Sequence, residues 1–291
     1  MTTSKNNFVF FGTPRFAAVI LEKLIAGGWA PQALVCNPDR PVGRKQVITP
    51  PPTKTSILNL ESSIKNEIKI FQPKNKNELV SISDQLFQEA DFGILAAYGQ
   101  IVPLEVINKA RFGIIGVHPS LLPKFRGPTP IQSAILEGET TTGATLFLMD
   151  EKVDHGPVIS SKGLVVSSKD GYETLETRLA ELAGDLLIET LPKFVKGEIT
   201  PLPQNEAEAT YTKKFTTEDG YINPKELQAA TSGANQEKAI EIERKIRALN
   251  PEPGVWTELD GVRTKILEGV LIDSRLKLVK IQKAGKRPIT L

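Results

Sequence analysis

Short apolar runs alternate with helical patterns through the first two thirds of the chain. The first run, residues 8–11, ends at Gly12-Thr13-Pro14, and apolar residues at helical spacing follow over residues 16–25. A second apolar run covers residues 33–36. This order of strand, turn, helix and strand predicts a parallel sheet with right-handed crossovers. The turn lacks the Gly-x-Gly-x-x-Gly pattern, so it does not indicate a dinucleotide site.

Further apolar runs predict more strands of the same α/β sheet, followed by a long amphipathic helix. These strands are predicted at residues 68–71, 92–97, 112–117, 144–149 and 158–166, and the helix at residues 172–195. Two prolines and a polar run within residues 199–214 predict a linker.

The last quarter of the chain contains one helical pattern and several short strands. The helix is predicted at residues 237–249, and the strands at residues 255–259, 264–272 and 276–282. Short strands with one helix are typical of a small barrel of the oligonucleotide-binding (OB) kind. We therefore expect domains at residues 1–198 and 215–291, joined by the linker 199–214. Residues 221–236 form a segment longer than usual without an assigned role, and their core, residues 231–235, is predicted to be turn-like.

The composition restricts which classes of protein and which kinds of metal or disulfide site the chain can contain. Hydrophobic residues make up 40% of the chain and charged residues 24%, as in a globular protein with a core. The single cysteine, Cys36, excludes an intrachain disulfide and a zinc site with several thiolates. Because no apolar run is long enough to span a membrane, we expect a cytoplasmic protein.

Positive charge is concentrated in two places, although the formal net charge is only +2. Residues 261–291 contain eight Lys or Arg against two acidic residues, and the loop 37–54 contains Arg40, Arg44, Lys45 and Lys54. Both stretches suit a polyanionic partner. A solvated basic tail and a mobile surface loop are the alternative interpretations.

The only two histidines, His118 and His155, lie near polar turns that follow predicted strands. His118 comes directly after an apolar run, and Asp154 follows another. Polar groups beyond the carboxyl ends of strands form the ligand sites of open α/β sheets. An acid–base pair of His118 and Asp154 is one interpretation. A turn histidine beside a turn-capping aspartate is the other.

Taken together, several motifs resemble the methionyl-tRNA formyltransferase family, over nearly the whole chain. The motifs are Phe11-Gly12-Thr13-Pro14, Pro38-Asp39-Arg40-Pro41-Val42-Gly43-Arg44, Ala97-Tyr98-Gly99, Val117-His118-Pro119-Ser120-Leu121-Leu122-Pro123, Arg126-Gly127, Pro130-Ile131-Gln132, Met149-Asp150, Asp154-His155-Gly156 and Arg247-Ala248-Leu249-Asn250-Pro251. The resemblance implies a Rossmann-like formyltransferase domain with a mostly parallel sheet, followed by an OB-like barrel. It also implies formyl transfer from 10-formyltetrahydrofolate to the methionine amine of initiator methionyl-tRNA.

The resemblance assigns roles to individual residues. It makes His118 and Asp154 catalytic, with Asp154 holding His118 in one tautomer and stabilising its cation while His118 shuttles a proton. The remaining assignments are to folate (Tyr98, Gly99, Ser120, Leu121, Leu122, Pro123) and to tRNA (Arg40, Arg44, Lys45, Arg126), with Arg44 at the acceptor stem. We expect a monomer that uses these two substrates, with no metal and no membrane.

Gly116 departs from the family pattern, in which an asparagine precedes the histidine by two residues. That amide would donate a hydrogen bond to the developing oxyanion, and losing one such donor typically costs a factor of about 100 to 1,000 in rate. Another donor could replace it, the chain could be an inactive relative, or the residue could have been changed deliberately. The close match elsewhere favours a working enzyme with a changed oxyanion arrangement.

Two other functions stay open at this stage. A sugar-nucleotide formyltransferase would share the first domain, but the basic loop and the basic C-terminal segment argue against it. A catalytically impaired protein that only binds folate or tRNA is compatible with Gly116.

Overall fold

The computed structural model describes residues 7–43 and 45–291, which form two compact units. The first unit comprises the described residues up to Arg126 together with Gly143–Leu164 and Thr177–Thr210. The second comprises Gly127–Thr142, Val165–Glu176 and Tyr211–Leu291. The contiguous division at residues 198 and 215 stays a prediction.

A seven-stranded sheet forms the centre of the first unit. Its strands are β1 (Phe8–Gly12), β2 (Ala33–Val35), β5 (Lys69–Phe71), β6 (Phe92–Ala96), β7 (Ile114–His118), β8 (Thr141–Leu148) and β9 (Val158–Val165). Their order across the sheet is β5-β2-β1-β6-β7-β8-β9. The first five strands in this order are parallel to one another, and β8 is antiparallel to β7. Every residue of β1 and β7 is buried, as expected for parallel strands covered on both faces. The predicted α/β fold class is confirmed.

Helices lie between and after these strands in the chain. They are α1 (Arg15–Ala26), α2 (Pro52–Leu58), α3 (Ser62–Lys65), α4 (Lys76–Leu86), α5 (Leu104–Ile107), α6 (Pro130–Glu137) and α7 (Tyr172–Val195). The described chain contains no helix that is both long and apolar enough to span a bilayer.

The basic loop contains a hairpin that the sequence analysis did not predict. Its strands are β3 (Arg40–Val42) and β4 (Val47–Thr49), and all six of their residues are exposed. At its base, Lys54 Nζ donates to the two carboxylate oxygens of Asp39 at 2.8 and 2.9 Å. Lys54 therefore anchors the hairpin, and its charge is already paired.

An antiparallel four-stranded sheet characterises the second unit. Its strands are β10 (Trp256–Leu259), β11 (Val262–Ile272), β12 (Arg275–Lys283) and β13 (Ile289–Thr290), paired in that order. The unit also contains α8 (Pro224–Ser232) and α9 (Gln236–Leu249). The predicted small β-rich domain is thus confirmed as this antiparallel sheet with its helices.

Helix α8 occupies most of residues 221–236 and includes residues 231–232 of the predicted turn-like core, whereas residues 233–235 are not helical. The Asn223 side chain caps its first turn by accepting from Lys225 N, and Pro224 occupies the first helical position. Gly233 ends the helix in the left-handed conformation, with φ of 83°. Two of its residues, Leu227 and Ala230, are buried.

The Arg-Ala-Leu-Asn-Pro motif stabilises the second unit internally. Arg247 pairs through two nitrogens with the Glu243 carboxylate and donates to the Asp170 carbonyl at 2.8 Å. Asn250 Nδ2 donates to the carbonyls of Ile246 and Ile266, both at 3.0 Å. These contacts join α9 to β11 and account for the motif structurally.

Candidate active site

His118 is the last residue of β7, and only 5% of its surface is exposed. Its Nε2 lies 2.8 Å from the carbonyl oxygen of Phe125. Because a carbonyl oxygen only accepts, Nε2 must carry a proton. In the neutral ring Nδ1 is then the unprotonated, basic nitrogen.

Asp154 faces that basic nitrogen. Its Oδ2 lies 3.5 Å from His118 Nδ1, and its side chain is 21% exposed. The two side chains predicted to pair therefore lie beside one another, and the roles assigned to them stay predictions. The Phe125 carbonyl fixes the tautomer, whereas the Asp154 carboxylate is placed to stabilise the imidazolium that forms when Nδ1 takes a proton.

Both sides of this pair depend on unusual backbone conformations. Phe125 has φ of 61° and Asp154 has φ of 49°. Aspartate tolerates the left-handed region, whereas a bulky aromatic residue there is a genuine outlier. Strain of this kind persists where surrounding contacts over-determine it, and such residues cluster at functional sites.

Phe147 fills the space beside Gly116 on the face of the sheet that carries His118. Gly116 pairs directly with Phe147 across β7 and β8, as His118 does with Thr145. A Cβ built on Gly116 would lie within 3.0 Å of three atoms of the Phe147 ring. The aromatic ring thus occupies the volume into which an asparagine side chain at position 116 would project.

The residues assigned to folate differ in their exposure. Tyr98 is 1% exposed within the hydrophobic core, and this burial raises the pKa of its phenol. Ser120 is also buried, and its hydroxyl donates to the Lys124 carbonyl at 2.6 Å. These two side chains are structural, so any contact with a folate would come from their main chain.

The other folate candidates are more accessible. Gly99 adopts φ of 85° after β6, and Leu121, Leu122 and Pro123 are half-buried. Leu122 and Pro123 also line an open cavity of about 360 Å³. This part of the assignment is compatible with ligand contact.

Of the residues assigned to tRNA, Arg40 and Lys45 are exposed on the β3–β4 hairpin, and Arg44 lies outside the described residues. Arg126 is fully buried. Its guanidinium binds Gln204 and makes two hydrogen bonds to the Glu206 carboxylate, at 2.6 and 3.0 Å. Arg126 is therefore removed from the expected tRNA contacts, because its side chain is enclosed and its donors are engaged.

A metal site and a reactive thiol are two further kinds of chemistry that a site can use. Within residues 7–43 and 45–291, no group of three or more His, Cys, Asp and Glu side chains could hold a metal ion. Cys36 is buried, and desolvation raises its pKa to about 11, so its thiol stays protonated near neutral pH. It is therefore not an activated nucleophile.

Sequence reasoning missed Phe147 and Gln204, which both contact this site. Phe147 belongs to a predicted strand, but only the register with β7 shows that its ring lies at Gly116. Gln204 falls in the segment predicted to be a linker, and its Nε2 donates to the Asp154 carbonyl. A lone glutamine in a polar segment carries no signal for such a contact.

Comparisons with known proteins bear on the family of the chain. The sequence model of the formyl transferase family matches residues 5–191, and that of the formyl transferase C-terminal domain matches residues 235–286. A methionyl-tRNA formyltransferase from Enterococcus faecalis is 38% identical over 258 residues, covering 89% of this chain and 77% of the relative. Another from Lactobacillus gasseri is 34% identical over 310 residues, covering 98% of this chain and 93% of the relative.

A solved structure shares the fold at lower identity. It is an N-formyltransferase from Helicobacter canadensis in complex with folinic acid and dTDP-3-aminofucose. The TM-score is 0.64 at 18% identity, covering 92% of this chain and 88% of that chain.

Proposed function

The chain belongs to the methionyl-tRNA formyltransferase family, and from this premise we propose that it formylates the α-amine of initiator methionyl-tRNA with 10-formyltetrahydrofolate. The observation that carries the proposal is the His118–Asp154 pair at the carboxyl end of β7. Its basic Nδ1 faces a carboxylate 3.5 Å away, while Nε2 is held by a main-chain carbonyl. A basic ring nitrogen beside a carboxylate can take a proton from one group and deliver it to another.

The proposed reaction needs such a shuttle. The methionine nitrogen forms a bond to the formyl carbon, the bond from that carbon to N10 of the folate breaks, and the proton shed by the amine ends on N10. His118 Nδ1 takes the proton from the amine and delivers it to the leaving nitrogen. Asp154 stabilises the intervening imidazolium, as a carboxylate beside a catalytic histidine does.

The chain's own residues are also proposed to hold the two substrates. Gly99, Leu121, Leu122 and Pro123 would contact the folate, to which Tyr98 and Ser120 would contribute main-chain groups only. The basic hairpin and the basic strands of the second unit would contact tRNA phosphates, with a salt-dependent affinity. We expect the protein to act as a monomer in the cytoplasm.

Substrate choice tests the proposal. The purified protein is expected to transfer the formyl group to methionyl-tRNA and not to an amino-sugar nucleotide, because the exposed basic residues suit a polyanion. Formylation of the two acceptors should be measured side by side with 10-formyltetrahydrofolate as donor. Turnover of the sugar nucleotide alone would overturn the choice, and binding of methionyl-tRNA without turnover would support a non-catalytic relative.

Replacing Arg44 by alanine is expected to weaken the use of tRNA more than that of folate. Removing one phosphate contact should raise the KM for methionyl-tRNA and reduce the slope of log affinity against log salt by about one. Lys69, an exposed residue of β5, offers a matched control as Lys69→Ala. Equal changes in the KM values of both substrates would argue against an acceptor-stem role.

A further inference from the structure

We propose that Gln204 and Thr210 are positioning residues that hold Asp154 and His118 in their reactive arrangement. They lie at the two ends of residues 204–210, here named the clasp segment, which belongs to the predicted linker. The proposal deepens the proposed function, on which it rests. It gives this segment a direct role in aligning the proton shuttle.

Gln204 holds the turn that carries Asp154. Its Nε2 donates to the carbonyls of Asp154 and Gly156, at 2.9 and 2.8 Å. The turn is pressed against the end of β8, because a Cβ on Gly156 would overlap the Leu148 carbonyl oxygen. One side-chain amide therefore fixes the main chain on both sides of His155, with Asp154 in its left-handed conformation.

Arg126 fixes the orientation of that amide. Its Nε and Nη2 donate to Gln204 Oε1 at 3.0 and 2.8 Å. A guanidinium only donates and a main-chain carbonyl only accepts, so the amide oxygen must face Arg126 and the amide nitrogen must face the turn. Glu206, in the same segment, pairs with the other edge of Arg126, and this contact lowers the pKa of the Glu206 carboxyl.

The other end of the clasp segment holds the partner of His118. Thr210 Oγ1 accepts from Phe125 N at 2.8 Å, and the Thr210 carbonyl accepts from Arg126 N at 2.9 Å. These bonds keep Phe125 in its left-handed conformation, in which its carbonyl accepts from His118 Nε2.

We call the contacts of Gln204 with the turn the Asp154 arm, and those of Thr210 with Phe125 the His118 arm. Both arms act on the distance between His118 Nδ1 and Asp154 Oδ2. That separation is 3.5 Å, so each group must be held against the other without a short direct hydrogen bond. A misplacement of about 1 Å in such an arrangement can cost on the order of 100-fold in rate. The clasp segment supplies the constraint from both sides.

The Asp154 arm is tested by Gln204→Glu. The new carboxylate would still pair with Arg126, but it would present an acceptor to the carbonyls of Asp154 and Gly156 and so repel the turn. We expect kcat to fall on the order of 100-fold, with smaller changes in the KM values of both substrates. The matched control is Gln32→Glu, because Gln32 Nε2 also donates to a main-chain carbonyl, that of Leu86, outside the site.

The His118 arm is tested by Thr210→Val, with Thr210→Ser as the rescuing variant because it keeps the hydroxyl. The chain has two histidines, so 15N-labelled imidazoles give two sets of NMR signals, which His155→Gln assigns. We expect the neutral His118 ring to carry its proton on Nε2 in the wild type and Thr210→Ser, and a mixture of tautomers in Thr210→Val. This measurement needs neither substrate nor turnover.

Either arm can overturn the proposal. It is wrong if folded Gln204→Glu matches Gln32→Glu in kcat, or if Thr210→Val leaves the His118 signals unchanged. If Gln204→Glu does not fold, the NMR comparison decides alone. Failure of the proposed function is distinguishable. If the wild type shows no formylation, Thr210→Val should still change the tautomer of His118 relative to the wild type.

Discussion

Replacing His118 by glutamine is expected to reduce kcat for formyl transfer by about 10²- to 10⁴-fold, the usual contribution of general acid–base catalysis. The glutamine amide can still donate to the Phe125 carbonyl, so the loop keeps its hydrogen bond. It cannot accept a proton from the attacking amine. The measurement is the initial rate on methionyl-tRNA at saturating folate, with thermal unfolding as the check on folding.

Asp154→Asn tests whether the carboxylate acts through His118. Asparagine tolerates the left-handed backbone at this position, so the change removes charge without adding strain. The single variant should be slow, but combining it with His118→Gln should cost little more than His118→Gln alone, because residues that act as a unit are not additive. Additive losses, or near-normal activity of either single variant, would contradict the pair.

A surface variant provides the comparison for both changes. Asp84 is an exposed acid that pairs with Lys109 at the surface. Asp84→Asn should stay within about twofold of the wild-type rate, as surface substitutions away from special features usually do. A comparable loss in this variant would point to a general effect of reduced charge.

The central sheet could be predicted because its strands are buried on both faces and therefore appear as continuous apolar runs. The β3–β4 hairpin has no such run, since its six residues are exposed and the alternation of a half-buried strand is absent. Helix α8 did carry local signals, the Asn223-Pro224 start and the Gly233 end. Because α8 contains few apolar residues, no clear helical periodicity connects these two signals.

Only those features of the site could be predicted that follow from the position of a residue relative to a strand. His118 could be placed because it ends a buried strand, whereas β8 is antiparallel to β7 and ends beside Ile115, so only the loop after β8 brings Asp154 within 3.5 Å of His118. The burial of Arg126 could not be predicted, because it depends on contacts made by distant residues. Gln204 is 78 positions from Arg126 in the chain, and no local pattern reports their hydrogen bonds.

The double variant Gly116→Asn/Phe147→Val is expected to raise kcat by about 10²- to 10³-fold, the usual value of one oxyanion donor. Position 116 lies on the same face of β7 as His118, two residues earlier, so an amide there projects towards the reacting centre. The Phe147 ring fills that volume and has no group to donate. Exchanging the ring for valine makes room for the amide and introduces a β-branched residue, a type that suits strands.

The single variants separate the amide from the space that it needs. Gly116→Asn alone should be slower or less stable than the wild type, since forcing a side chain against the ring costs about 1–3 kcal/mol of overpacking. Phe147→Val alone should lose stability through the cavity that it leaves, without any gain in rate. If the folded double variant is no faster than Phe147→Val, the missing amide does not limit this enzyme. Another donor would then have to stabilise the oxyanion, and the exchange of asparagine for a glycine–phenylalanine pair would be neutral for catalysis.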